Sequence, residues 1–134
     1  MRGGALLKVV ETPEITGKYS SFTPVPQMPG FGARIEGLDL SAEMSDATRD
    51  ELRQALLDFE VLFFPPQTLE PAHHVQLAEC FGPLAKGSFF ERNQNAPEVE
   101  MIVFDEKRPP EINIWHSDLS WQKTPPLGSV IQIT

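Results

Sequence analysis

The sequence contains one cysteine in 134 residues, Cys80. A single thiol excludes an internal disulfide and any zinc site built on several cysteines. It sits in the apolar stretch VQLAECF, where a buried, inert thiol is expected. Long apolar runs are also missing. None approaches the roughly 20 residues needed to span a bilayer, and MRGGALLKVVETPE holds too short an apolar piece for a signal peptide. The expectation is a cytoplasmic protein with no membrane partner. Basic residues are scarce: 11 Lys and Arg stand against 19 Asp and Glu, a net charge of -8. A phosphate-binding surface needs clustered Lys and Arg, so nucleic acid is not an expected partner. The acidity itself speaks to solubility and singles out no substrate.

What is present is ordinary for a globular chain: 40% hydrophobic and 22% charged residues. The length suits one domain, taken here as residues 1–134. Within it, residues 1–31 read as a leader rich in Pro and Gly, with an edge strand at LLKVV. FGARIEGLDLS alternates in part, with Ala33, Ile35 and Leu38 as its apolar members, and predicts a strand and a turn. Ser45 is a good N-cap. Asp46 and Asp50 follow it, and Leu52, Ala55, Leu56 and Phe59 share a helical face. VLFF, closed by Pro65 and Pro66, predicts a buried strand. A second helix is expected from Pro71 to Phe81, stopped by Gly82. Val99 to Phe104 predicts a strand, DEKRPPE a solvated loop, INIWHSDLSW an extended segment and GSVIQIT a further strand.

The chemistry is concentrated in Trp115-His116-Ser117-Asp118. On an extended segment residues i and i+2 share a face, so the imidazole and the carboxylate meet. That is two thirds of the facial triad of two histidines and one carboxylate that holds iron(II) and leaves positions open for a cosubstrate and oxygen. The spacing alone admits a plainer reading, a strand histidine bonded to a nearby aspartate. His73 and His74 are adjacent on the second helix and diverge by about 100°, so they cannot face one metal together. One is expected at the surface and the other at a packing seam. Trp115 and Trp121 read as core or pocket wall.

The wider pattern resembles the taurine dioxygenase (TauD/TfdA-like) family from about Gly32 to Thr134. GARIEGLDLS resembles the family's opening strand and turn. The stretch from LSAEMSDATRDELRQ through VLFFPPQTLEPAHHVQLAECFGPL resembles its helix, strand and helix block, ending in Phe-Gly-x-Leu. PEVEMIVFD resembles the strand before the active-site loop, and WHSDLSWQKTPPLGSVIQ the metal-binding stretch with its Thr-Pro-Pro turn. The resemblance covers what looks like the family's N-terminal half. It implies an α+β fold with a double-stranded β-helix (jelly-roll) core, incomplete in this chain, and two N-terminal helices packed on it.

The resemblance further implies His116 and Asp118 as iron(II) ligands, with 2-oxoglutarate and O2 as cosubstrates. The activity would be hydroxylation of an unactivated C–H bond of a small organic acid, with decarboxylation to succinate. The family's second metal histidine and its 2-oxoglutarate-binding arginine are expected downstream of Thr134, so the chain alone should be inactive. In taurine dioxygenases a His, a Tyr and an Asn recognise the substrate. Their places fall on Gly87, Phe90 and Ile112, which points to a more apolar substrate, with Phe90 and Ile112 lining its site. The alternatives are a non-catalytic fragment or binding module that keeps part of the fold, and a small β-rich module in which His116 and Asp118 are a structural pair. An unpaired sheet edge leaves a homo-oligomer open.

Overall fold

In the computed structural model the residues described are 17–85, 90–107, 109–110 and 114–133. They fall into two compact units that divide between Thr68 and Leu69. The LLKVV strand expected near the N-terminus lies outside the described residues.

The first unit is built from β1 (Thr23–Met28), β2 (Phe31–Glu36), α1 (Asp46–Phe59) and β3 (Leu62–Phe63). The sheet order is β1-β2-β3. β1 pairs antiparallel with β2, and β3 returns parallel to β2 after the α1 crossover. β1 lies inside the stretch read as a leader. Its prolines hid it, because proline removes a ladder donor. Here Pro24 and Pro26 stand two residues apart, opposite Ile35 and Ala33, so the missing N–H groups fall on one side of the strand only. β1 is also an edge strand, the position in a sheet that tolerates proline. Pro29 and Gly30 close the hairpin, and Gly30 at φ 69° supplies the positive φ of a type II turn.

α1 forms as the periodicity predicts. The Ser45 hydroxyl accepts from the Thr48 N–H at 3.1 Å, and Asp46 sits in the first turn. Leu52, Ala55 and Phe59 are fully buried with Ala33 and Ile35, while Phe22, Leu40 and Met44 complete the core. Each large side chain removed from water here contributes roughly 1.5–3 kcal/mol. Leu38 and Leu56, expected on the apolar faces, are only half-buried. VLFF is not a buried strand: two residues pair, and Phe63 is exposed. Gln67 holds the loop before α1. Its Oε1 accepts from the Leu40 N–H at 2.9 Å, and its Nε2 donates to the Leu38 carbonyl at 3.1 Å.

Two carboxylates of α1 tie down residues 18–21. Glu51 accepts from the Ser20 and Ser21 N–H groups and from the Ser20 hydroxyl. Asp58 accepts from Lys18, from the Tyr19 hydroxyl and from Gln54. Burial alone would push both carboxyls up, but the hydrogen bonds outweigh it and hold both below their ordinary range. The same burial, with the bond and charge of Asp58 and the charge of Glu51, pushes the Tyr19 phenol up, so it stays a donor. A carboxyl held low in the folded state binds protons more readily when unfolded. Its stabilisation is complete above the unfolded values of about 3.9 for Asp and 4.3 for Glu, and is lost as pH falls through the folded value. Protection of the α1 amides from hydrogen exchange is therefore expected to hold between pH 7 and pH 5 and to drop toward pH 3. Asp58→Asn combined with Glu51→Gln should flatten that drop, and an unchanged acid profile in the double variant would refute the assignment.

The second unit contains α2 (Pro71–Glu79), β4 (Glu91–Arg92) and β5 (Glu100–Met101). Pro71 opens α2 as expected. The helix stops two residues short of Phe81, and Gly82 follows in a turn at φ 144°. Cys80 is buried, as the sequence implies, beside Leu77. β4 and β5 pair antiparallel, and the Asn93 side chain caps the turn between them by accepting from Asn95 and Ala96. The strand expected over Val99 to Phe104 is paired only at Glu100–Met101, because β4 offers only two partners. Ile102, Val103 and Phe104 are exposed. The expected strand at GSVIQIT is not formed: no described residue pairs with it in a ladder. The α+β content is therefore present, in one three-stranded and one two-stranded sheet. No closed double-stranded β-helix occurs among the described residues.

Candidate metal centre

His116 and Asp118 sit in the second unit, in a stretch that carries no strand pairing among the described residues. The expected extended segment breaks where the carboxylate is placed. The chain bends at Asp118, Leu119 adopts a φ of 51°, and the Gln122 N–H donates to the Leu119 carbonyl at 3.0 Å. The Ser117 and Ser120 hydroxyls are bonded across this turn at 2.8 Å. The two side chains converge as expected, with His116 Nε2 and Asp118 Oδ1 3.2 Å apart. They meet at a turn rather than along a flat strand face.

The other ring nitrogen determines what that approach means. His116 Nδ1 lies 2.9 Å from the Ile114 carbonyl oxygen. A carbonyl can only accept, so Nδ1 carries a proton. In the neutral imidazole Nε2 is then a lone pair, and it faces a carboxylate oxygen that is also an acceptor. Two acceptors at 3.2 Å call for a cation between them, either a proton on Nε2 or a metal ion. The spacing fits a metal. Two donors each about 2.1 Å from an ion stand roughly 3.0 Å apart at a right angle and roughly 3.4 Å apart at the tetrahedral angle. One imidazole nitrogen and one carboxylate oxygen form a mixed donor set that iron(II) accepts. Both side chains are more than half exposed, at 55% and 67%, so the pair is open to an incoming ion. Among the described residues no group of three or more His, Cys, Asp or Glu side chains is placed to hold a metal.

Residues 21–133 match the family model described as taurine catabolism dioxygenase TauD, TfdA family. The chain belongs to that family. Among curated proteins it is similar to an alkylsulfatase of Acinetobacter baylyi, 29% identical over 111 residues that cover 76% of this chain and 32% of the relative. Two solved structures from Burkholderia xenovorans resemble it. One is assigned as an alpha-ketoglutarate-dependent taurine dioxygenase (35% identity) and the other is a taurine dioxygenase (30% identity). Each has a TM-score of 0.54 over 60% of this chain and 29% of the solved one. The chain thus spans about a third of the length of the relatives it matches.

Within this member of the TauD/TfdA family, the remaining residues singled out by sequence separate clearly. His73 and His74 have structural partners. His73 Nδ1 accepts from the Glu70 N–H at 3.2 Å at the start of α2, and His74 Nε2 meets the Val130 carbonyl at 2.9 Å. Both are half-buried, so neither is the surface residue expected. Trp115 and Trp121 are not core: both side chains are open to solvent. Phe90 is about half exposed, while Gly87 and Ile112 lie outside the described residues. The DEKRPPE loop is solvated where described, with Asp105 capping its own turn through the Lys107 N–H. Sequence reasoning missed the Ile114 carbonyl and Leu119. A backbone acceptor has no residue signature, and a leucine gives no cue to positive φ.

Proposed function

We propose that this chain forms the N-terminal part of an iron(II)- and 2-oxoglutarate-dependent dioxygenase that hydroxylates an unactivated C–H bond of a small organic acid. One observation carries the reading: His116 Nε2 and Asp118 Oδ1 lie 3.2 Å apart, with Nδ1 already engaged, inside the stretch that matches the family. On this reading His116 and Asp118 are two of three protein ligands to iron. The third ligand and the arginine for 2-oxoglutarate belong to the part of the relatives' length that this chain does not span. Both units then belong to one dioxygenase domain, whose jelly roll is completed by that same part.

Iron(II) bound there supplies activation of O2 coupled to decarboxylation of 2-oxoglutarate to succinate. The chain's own contribution is positional. The Ile114 carbonyl holds the imidazole in the tautomer that presents Nε2, and Asp118 supplies one negative charge. With a neutral histidine beside it, that single charge leaves the ion able to take up an anionic cosubstrate.

The substrate class is read from the family resemblance, by which Gly87, Phe90 and Ile112 correspond to the polar groups that recognise taurine. The similarity to an alkylsulfatase supports a sulfate ester, with sulfonates and aryloxy acids as the neighbouring classes. Each missing hydrogen bond to a charged substrate group is worth roughly 1.5–3 kcal/mol, or about 10- to 100-fold. A polypeptide of the relatives' length that carries this chain is expected to release succinate with an alkyl sulfate or aryloxy acid at a kcat/KM at least tenfold above that for taurine. Turnover of taurine at equal efficiency would refute the substrate reading. No substrate-stimulated succinate with any of the panel would refute the activity.

A further inference from the structure

Residues 114–133 carry the two donor side chains, and backbone pairing does not hold them in place, since no described residue forms a ladder with them. Apolar burial does little more: Trp115, Trp121, Leu127, Ile131 and Ile133 are all exposed. Val130 stands apart in its stretch. It is half-buried, while Gly128, Ser129, Ile131 and Gln132 are exposed. Its carbonyl oxygen lies 2.9 Å from Nε2 of His74 in α2, 56 residues back along the chain. Among the described residues this is the one hydrogen bond that joins 114–133 to any other part of the chain. The other hydrogen bonds of the segment close within it, between Ile114 and His116, Ser117 and Ser120, and Leu119 and Gln122.

A carbonyl only accepts, so His74 Nε2 carries the proton of that bond, and it keeps the proton whether the ring is neutral or charged. Both residues are half-buried, where a hydrogen bond left unmade costs more than at an exposed site. α2 offers a firm base. Pro71 opens it, and Leu77, three residues beyond His74 on the same helical side, is buried. We propose that His74 is an anchor: its imidazole docks the segment that carries the metal donors onto α2 through the Val130 carbonyl. Calling His116 and Asp118 metal donors rests on the function proposed above, whereas the docking is measured without metal, so either can fail without the other.

The test is NMR relaxation on the isotope-labelled 134-residue chain without metal. Backbone order parameters at Ser129, Val130 and Ile131 should stand at about 0.85, the value of rigid backbone. In His74→Phe, which keeps a ring and removes the donor, they should fall below about 0.6. His74→Gln should keep them near the unsubstituted values, because its amide nitrogen donates from about the same reach as Nε2. His74→Asn, whose amide stands where Nδ1 does, should behave like His74→Phe. The imidazole nitrogen shifts of the unsubstituted chain should place the His74 proton on Nε2. The Arg92 and Glu100 amides of β4 and β5 should be unchanged in every variant, which separates release of the segment from loss of the whole unit.

Order parameters at 129–131 that are already low in the unsubstituted chain, or that do not fall in His74→Phe, would overturn the anchor. An equal fall in His74→Gln and His74→Phe would mean that packing of the ring, and not the bond, seats the segment, and the proposal fails. If His74→Phe also disturbs Arg92 and Glu100, the smaller His74→Asn decides. Release of 129–131 with β4 and β5 intact supports the anchor, and a segment that stays ordered there refutes it.

Discussion

Phe59→Ala is expected to destabilise the first unit by about 3–5 kcal/mol, the range for removing a buried aromatic ring. Among the described residues Phe59 is the largest side chain with no solvent exposure, and it packs at the end of α1 where Leu52 and Ala55 are also fully buried. A small unit has little other core to take up the space, so the cavity adds to the lost transfer energy. Domains are stable by only about 5–15 kcal/mol, so the loss would be a large share of the whole. The measurement is the urea midpoint of α1 unfolding by amide exchange or circular dichroism, beside Phe59→Leu, which refills most of the volume and should lose less. A loss of stability under about 1 kcal/mol for Phe59→Ala, read from the midpoint shift and the slope m, would mean that the α1 face is not the organising core.

The sequence was most legible where side-chain period decides structure. α1 repeats its apolar residues at helical spacing and opens on Ser45, and the helix, its cap and its buried face all form there. β2 alternates, and Ala33 and Ile35 are buried accordingly. Legibility failed where structure depends on a partner. Val99 to Phe104 and GSVIQIT have strand-forming residues, but a strand exists only where another backbone pairs with it. β4 pairs with two residues of the first, and none of the described residues pairs with the second. β1 failed in the opposite sense: its prolines argue against a strand, yet an edge with both on one side accepts them. The site divides in the same way. His116 and Asp118 were visible because donor types and spacing are written in side chains. Their backbone surroundings were not, because a carbonyl that holds Nδ1 and a leucine at positive φ after Asp118 carry no side-chain signature.

Removing either donor is expected to abolish turnover outright. In a polypeptide of the relatives' length that carries this chain, His116→Ala or Asp118→Ala should reduce succinate release to background. The 134-residue chain alone should release none under iron(II), ascorbate and oxygen. Two donors 3.2 Å apart and more than half exposed define one edge of a coordination sphere. Water competes for such an edge, and no third His, Cys, Asp or Glu joins it among the described residues. An arginine for the far carboxylate of 2-oxoglutarate would add a charge-assisted, bidentate contact, and its loss inside a water-poor pocket is costly. Binding and turnover should therefore separate: the short chain holds a metal weakly through His116 and Asp118 and performs no chemistry. Substituting only one donor tests each role. His116→Ala removes the nitrogen and leaves a lone carboxylate. Asp118→Ala leaves an imidazole whose Nδ1 is still held by Ile114, so it should keep some affinity for cobalt(II) while losing turnover. Substrate-dependent succinate from the short chain that disappears in His116→Ala would overturn the expectation. It would mean that a second copy completes the site across an exposed edge.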